Sequence, residues 1–210
     1  LEKQVNKLSV TYKRKTSIED FTEAMTTTSS GTYISKKPKK IKWLEMLISR
    51  HSPIRSVRYR VYVKNVKYNS HVHLIRHHIS FEPYVEDIDY YVQSQRVNID
   101  RDELPQGEKI NMMFDVNADS LLNLASVRMC NRVAVETREV LVLLKQELEK
   151  SDDIYDNILG SLMVPFCELN GWCKESAKKC CGKFNNIPYL FSSKGLDFKG
   201  WVEEIKNKDY

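Results

Sequence analysis

All five histidines of the chain lie between His51 and His78, and four share one short run, His71-Val-His73-Leu-Ile-Arg76-His77-His78. Imidazole titrates near neutrality, binds metals and donates hydrogen bonds to anions. With Arg76 inside it, this run offers adjacent cationic and donor groups suited to a phosphate. A basic helix end that only offsets the helix dipole has the same composition. His73 and His77 also have the i, i+4 spacing of metal ligands on a helix, but no Glu stands between them as the metalloprotease arrangement requires. A second group is Ser94-Gln95-Arg96, followed by Arg101. Two residues apart on an extended segment, Ser94 and Arg96 point to the same side and can share one phosphate; a polar strand edge reads the same way. The third group runs from Asn117 to Arg128. At helical spacing Asn117, Leu121, Leu124 and Arg128 share a face, and Asn123 points elsewhere. An arginine among such apolar neighbours needs an anionic or carbonyl partner. That partner is either a ligand or a nearby carboxylate such as Glu136.

Five cysteines, Cys130, Cys167, Cys173, Cys180 and Cys181, stand in a chain whose polar start, Leu1-Glu2-Lys3-Gln4, does not read as a secretion signal and is expected to be a trimmed end. The odd count points to a reducing compartment and a cytoplasmic protein. Cys130, Cys167, Cys173 and Cys180 could supply four thiolates to a structural zinc ion or an iron–sulfur cluster. No Cys-x-x-Cys is present, so free thiols or a redox-sensitive pair are the other reading. The net charge is +5, and Lys36, Lys37, Lys39, Lys40 and Lys42 form one basic run. It reads as a solvated loop and helix start, or as an anion contact. No ribonucleoprotein or zinc-finger pattern accompanies it, so nucleic acid is not the expected partner. No apolar run approaches the roughly 20 residues that span a bilayer.

Elements must bring these groups together. Ser17 to Met25 reads as a short helix with Ser17 as N-cap, and Thr26 to Tyr33 as a loop. Ile41 to Arg50 is a second helix. Val57, Tyr59, Val61 and Val63 alternate with Arg58, Arg60, Tyr62 and Lys64, the pattern of a half-buried strand. Tyr68 to His78 reads as a helix, and Tyr90-Tyr91-Val92 and Lys109 to Val116 as strands. The longest helix is expected from Asn117 to Lys150, since Leu122, Ala125, Met129, Val133, Thr137, Val140, Leu141, Leu144 and Leu148 keep helical spacing throughout. Asp153 to Met163 is a further helix. Strands and helices mixed in one compact domain make the fold class α+β, with a mixed sheet and long helices. Residues 1–165 are read as that domain and 166–210 as a Cys-rich extension packed on it.

In this order, Arg76-His77-His78, Ser94-Gln95-Arg96 and Asn117 to Arg128 resemble the flavin-dependent thymidylate synthases. That family has an Arg-His-Arg start, a Ser-x-Arg, and a helix of the type Asn-x-x-x-Leu-x-Asn/His-x-x-x-x-Arg. His51, followed by Ser52-Pro53, matches a further histidine of the pattern, and Glu136-Thr-Arg138 resembles the family's Glu-Ile-Arg. The resemblance covers roughly residues 40 to 145. The chain departs from the pattern at His78, where Arg is usual, at Asp119, often Arg, and at His73, usually Gln. The family's Asn-Glu pair before Ser94 is not recognisable; Glu82 and Glu86 stand in that longer stretch.

The resemblance implies an α+β enzyme that binds FAD and methylates dUMP to dTMP. Methylenetetrahydrofolate supplies the carbon, NADPH reduces the flavin, and the sites form between subunits of a homotetramer. It implies Arg128 as the catalytic cation at the uracil edge. Ser94 and Arg96 would hold the nucleotide phosphate, and His73 would lie near the nucleotide. Arg76 would stand between nucleotide and flavin. His51, His77, His78, Asn117 and Asn123 would contact the cofactor. Two other readings stay open: a paralogous flavin enzyme transferring a different one-carbon group, and a non-catalytic nucleotide- or nucleic-acid-binding protein.

Overall fold

A computed structural model describes residues 7–75, 88–93, 107–173 and 180–182. Four strands, β1 (Ser9–Arg14), β2 (Arg58–Lys67), β3 (Ile88–Val92) and β4 (Lys109–Asn117), form one sheet in the order β1-β2-β4-β3. Every described pairing is antiparallel, so the α+β class holds, and among the described residues the sheet is antiparallel where a mixed one was expected. Strand alternation decides its two faces. Val10, Tyr59, Val61, Val63, Ile88, Ile110, Met112, Phe114 and Val116 are buried on the inner face. Arg60, Tyr62, Lys64, Asn111, Met113, Asp115 and Tyr91 belong to the opposite phase.

One irregularity interrupts β2. The register with β4 shifts between Val63 and Val66. Asn65 takes φ 61° there, a left-handed conformation that asparagine tolerates better than most side chains. Its backbone N–H donates to Asn111 Oδ1 at 3.1 Å, and its Nδ2 donates to the Lys7 carbonyl at 3.0 Å. This is a β-bulge held by two asparagine side chains.

Helices cover the inner face. Helix α1 (Glu19–Ser30) runs through the stretch expected as a loop. Its hydroxyls explain the difference: Thr26, Thr27, Ser29 and Ser30 each bond back to a carbonyl four residues earlier, which satisfies the side chains within the helix. Gly31, at φ 69°, ends it. Helix α2 (Lys40–Ile48) places Trp43 and Leu47 in the core. Helix α3 (Tyr68–Ile75) follows β2 directly.

The expected long helix is two helices, α4 (Ala118–Arg128) and α5 (Val135–Glu149). Both bury apolar residues at helical spacing, so the periodicity survives the break between them. A turn there is closed by Val133 N–H to the Cys130 carbonyl at 3.0 Å and by Arg138 to Asn131 at 3.2 Å. Helix α6 (Ile154–Leu162) starts at its N-cap Asp153 and packs on α5. Gly160 allows that approach: a Cβ there would lie 2.8 Å from Leu148 Cβ. Helix α7 (Phe166–Asn170) contacts α4.

A buried polar group ties α6 to the sheet. Asp156 accepts from Tyr59 at 2.9 Å, Tyr12 at 3.1 Å and Arg14 at 2.8 Å, and Arg14 also reaches Asp153 at 2.6 Å. Burial pushes the Asp156 carboxyl up against the lowering pull of Arg14. Burial, with Asp156 beside it, pushes the Tyr12 phenol up to about 12. Among the described residues, no helix is long and apolar enough to cross a membrane.

Candidate functional site

The site begins where α2 ends. Arg50 takes φ 55° and turns the chain toward His51. His51 is exposed and precedes a 3-10 turn over Ser52–Ser56, with Pro53 in its first residues and the His51 carbonyl accepting from Ile54 N–H at 3.2 Å. The side chain is thus displayed on a short, stiffened corner and is not packed inside.

That corner is fastened to the start of α4. Asp119, in the first helical turn, accepts from Arg50 Nε at 2.5 Å and Arg55 Nε at 3.0 Å. Arg50 also donates to the Asp119 carbonyl at 2.7 Å. Two guanidinium groups share one carboxylate, so the cluster keeps a net positive charge. Ala118 N–H donates to the Val57 carbonyl at 2.9 Å, locking the same helix start to the strand that follows the 3-10 turn. The sequence pattern marked Asp119 only as a departure from the family. Here it replaces a cation by the anion that joins two arginines. Its signal in the sequence is an acidic residue at a helix start with unpaired arginines upstream, and that does not say which arginines will arrive.

Asn117 closes β4 opposite Arg58 and caps α4, its Oδ1 accepting from Ser120 N–H at 2.8 Å. It is buried. Asn123 and Arg128 lie further along α4, each half-buried. Arg128 is on the face of Leu121 and Leu124, as its spacing predicts, at the opposite end of the helix, about 16 Å from Asn117 along the axis. The structure therefore brings His51 and Asn117 to one corner and leaves Arg128 at another. Glu136, a possible partner for Arg128 in the sequence reading, is engaged by Lys67 at 2.6 Å. That ion pair holds the Glu136 carboxyl below its usual range.

His73 is half-buried on α3, while His71 is buried, with Nδ1 against the Tyr68 carbonyl and its ring on the Tyr68 ring. One member of the histidine run is thus a packed helix residue. Arg76, His77, His78, Ser94 and Arg96 lie outside the described residues, as do Glu82, Glu86 and Arg101. The five cysteines are described and form no disulfide. Among the described residues no group of three or more His, Cys, Asp or Glu could hold a metal, so Cys130, Cys167, Cys173 and Cys180 do not assemble the expected thiolate site. Burial pushes the Cys167 thiol up, with Cys130 and Cys181 acting in the same direction.

The chain has the fold of the flavin-dependent thymidylate synthases. It superposes on thymidylate synthase X of Helicobacter pylori, solved with FAD and dUMP, with a TM-score of 0.57 at 15% identity over 75% of this chain and 99% of that one. PolB, a UMP/dUMP methylase of Streptomyces cacaoi bound with 5-Br dUMP, gives a TM-score of 0.56 at 12% identity over 76% of this chain and 97% of that one. In sequence, 94 residues are 30% identical to a flavin-dependent thymidylate synthase of Pyrococcus furiosus. The match takes in 43% of this chain and 38% of that relative, so it spans well under half of the relative's length. No family model matches the chain. The resemblance read from the ordered motifs is borne out, as a divergent one.

Proposed function

We propose that this protein is a flavin-dependent thymidylate synthase, converting dUMP to dTMP with FAD, methylenetetrahydrofolate and NADPH, and that it acts as a homotetramer. The observation that carries the reading is the corner itself. His51 and Asn117, assigned to the cofactor from distant stretches, are fastened together by Arg50, Arg55 and Asp119. The residual positive charge of that cluster fits an anionic, diphosphate-bearing cofactor.

FAD would supply the redox chemistry of the methyl transfer. The chain's own residues would bind and polarise. His51 would meet the cofactor at the exposed corner, with Asn117 and Asn123 beside it and His77 and His78 contributing. Ser94 and Arg96 would hold the nucleotide phosphate, with Arg76 and His73 beside the nucleotide. Arg128, fixed on the apolar face of α4, would stabilise negative charge developing on the pyrimidine. Its distance from Asn117 within one chain supports sites completed between subunits.

The likeness to PolB supports a second reading, in which the pyrimidine nucleotide is UMP. Purified protein loaded with FAD should oxidise NADPH and form dTMP only when dUMP and methylenetetrahydrofolate are both present. Arg128→Ala should lower turnover about 100-fold or more, the scale of losing one well-placed electrostatic stabiliser, with an unchanged circular dichroism spectrum. A preparation that takes up no FAD, or an Arg128→Ala variant with the parent's rate, would overturn the proposal. A methylated product from UMP instead of dUMP would decide for the second reading.

A further inference from the structure

The outer face of the sheet carries a feature that the nucleotide reading does not use. Tyr62 on β2 and Tyr91 on β3 are both in register with Met113 on the strand between them. Cross-strand partners point to the same side, so the three side chains form one row, Tyr–Met–Tyr, across the open face. The two tyrosines are two strand spacings apart, about 10 Å. They are 38% and 50% exposed. A shallow, largely open depression of about 510 Å³ lies over this row.

The bulge shapes one end of the depression. Lys64 and Asn111 line it beside Asn65, and Gln93 completes that end. Asn111 Oδ1 accepts from Asn65 N–H, and Gln93 Oε1 accepts from Asn111 N–H at 3.1 Å. Both carbonyl ends are turned to the backbone, so the Asn111 amide presents its donor end to a ligand. No carboxylate is among the described residues lining the depression, and Lys64 is its charged side chain. Aromatic walls, a thioether floor, and an ammonium group with an amide donor at one end are complementary to a flat ring bearing a negative charge.

We propose that this face is a second binding site, which seats a planar aromatic anion on Met113 between Tyr62 and Tyr91, its charge toward Lys64 and Asn111. The proposal stands on the sheet face alone, so its failure leaves the nucleotide reading untouched, and the reverse. The test is a titration of the full chain with 8-anilinonaphthalene-1-sulfonate, followed by probe fluorescence and by the methyl resonances of 13C-labelled methionine, with Met113 assigned from Met113→Leu. The Met113 methyl should move and saturate. Tyr62→Ala and Tyr91→Ala should each weaken binding about threefold to tenfold, the scale of one aromatic contact. Tyr62→Phe should bind like the parent, Lys64→Gln should bind less tightly, and Tyr33→Ala, altering an exposed tyrosine elsewhere, should change nothing. A Met113 methyl that does not respond, or tyrosine variants that bind like the parent, would overturn the site. So would a Met113 shift that follows protein concentration without probe, since the occupant would then be a second copy of the chain.

Discussion

Replacing Asp156 by Ala tests the polar tie between α6 and the sheet. The carboxylate accepts three hydrogen bonds, from Tyr59 at 2.9 Å, Tyr12 at 3.1 Å and Arg14 at 2.8 Å. Its loss leaves the fully buried Tyr59 hydroxyl without that acceptor, a cost of about 1–3 kcal/mol. Breaking a buried ion pair costs about 3–5 kcal/mol, but Arg14 keeps Asp153 at 2.6 Å, which places the total near the lower end, about 3–4 kcal/mol near neutral pH. For a chain of this size that corresponds to a fall in Tm of about 10 °C. Asp156→Asn keeps one acceptor and should cost about half as much. The pH dependence has a definite sign. Burial raises the folded pKa of Asp156 above its unfolded value. Its contribution is therefore complete below the ordinary carboxylate range and declines as pH rises through the raised folded value. The gap between parent and Asp156→Ala should be widest in acid and narrower at neutral pH. Thermal unfolding followed by circular dichroism between pH 3 and pH 8 measures both effects. A loss at neutral pH under about 1 kcal/mol, or a gap that widens as pH rises, would refute the reasoning.

Asp119→Ala should release the His51 corner. Its arginine partners are partly solvated, so the expected loss after screening is about 1–2 kcal/mol, with weaker FAD uptake. Melts in low salt and in about 1 M salt check this, because a loss of equal size in both would mean that charge pairing is not its cause. Asp115 and Glu136 carry the opposite linkage. Hydrogen bonds from Arg60 and Lys67 respectively hold both carboxyls low. Their stabilisation is present above the ordinary carboxylate range and is lost as pH falls through the lowered folded values. Asp115→Asn should therefore flatten the acid limb of stability against pH, and an unchanged limb would remove Asp115 from it.

Short-range patterning made much of the fold legible in the sequence. The alternation from Val57 to Lys64 defined β2 and its buried phase, and Ile41 to Arg50 anticipated α2 closely. Where reading failed, a competing local interaction was responsible. Hydroxyls that suggested a loop at Thr26 instead back-bonded within α1, and a periodicity continuous from Leu122 to Leu148 concealed the turn between α4 and α5. The motifs also pointed to a family whose fold the chain has.

The sequence by itself determined which residue types were at hand: the histidine run, the arginines, the asparagines of the Asn117 to Arg128 segment and the basic phase of β2. Only tertiary structure decided their partners. It gave Asp119 to Arg50 and Arg55, and Glu136 to Lys67. It set Tyr62 and Tyr91 on either side of Met113, and it kept the cysteines from forming a metal site among the described residues. The reason is geometric. Hydrophobic periodicity acts over one or two turns and is written locally, whereas a charge pair or a cross-strand row depends on a register that exists only once distant strands and helices have met.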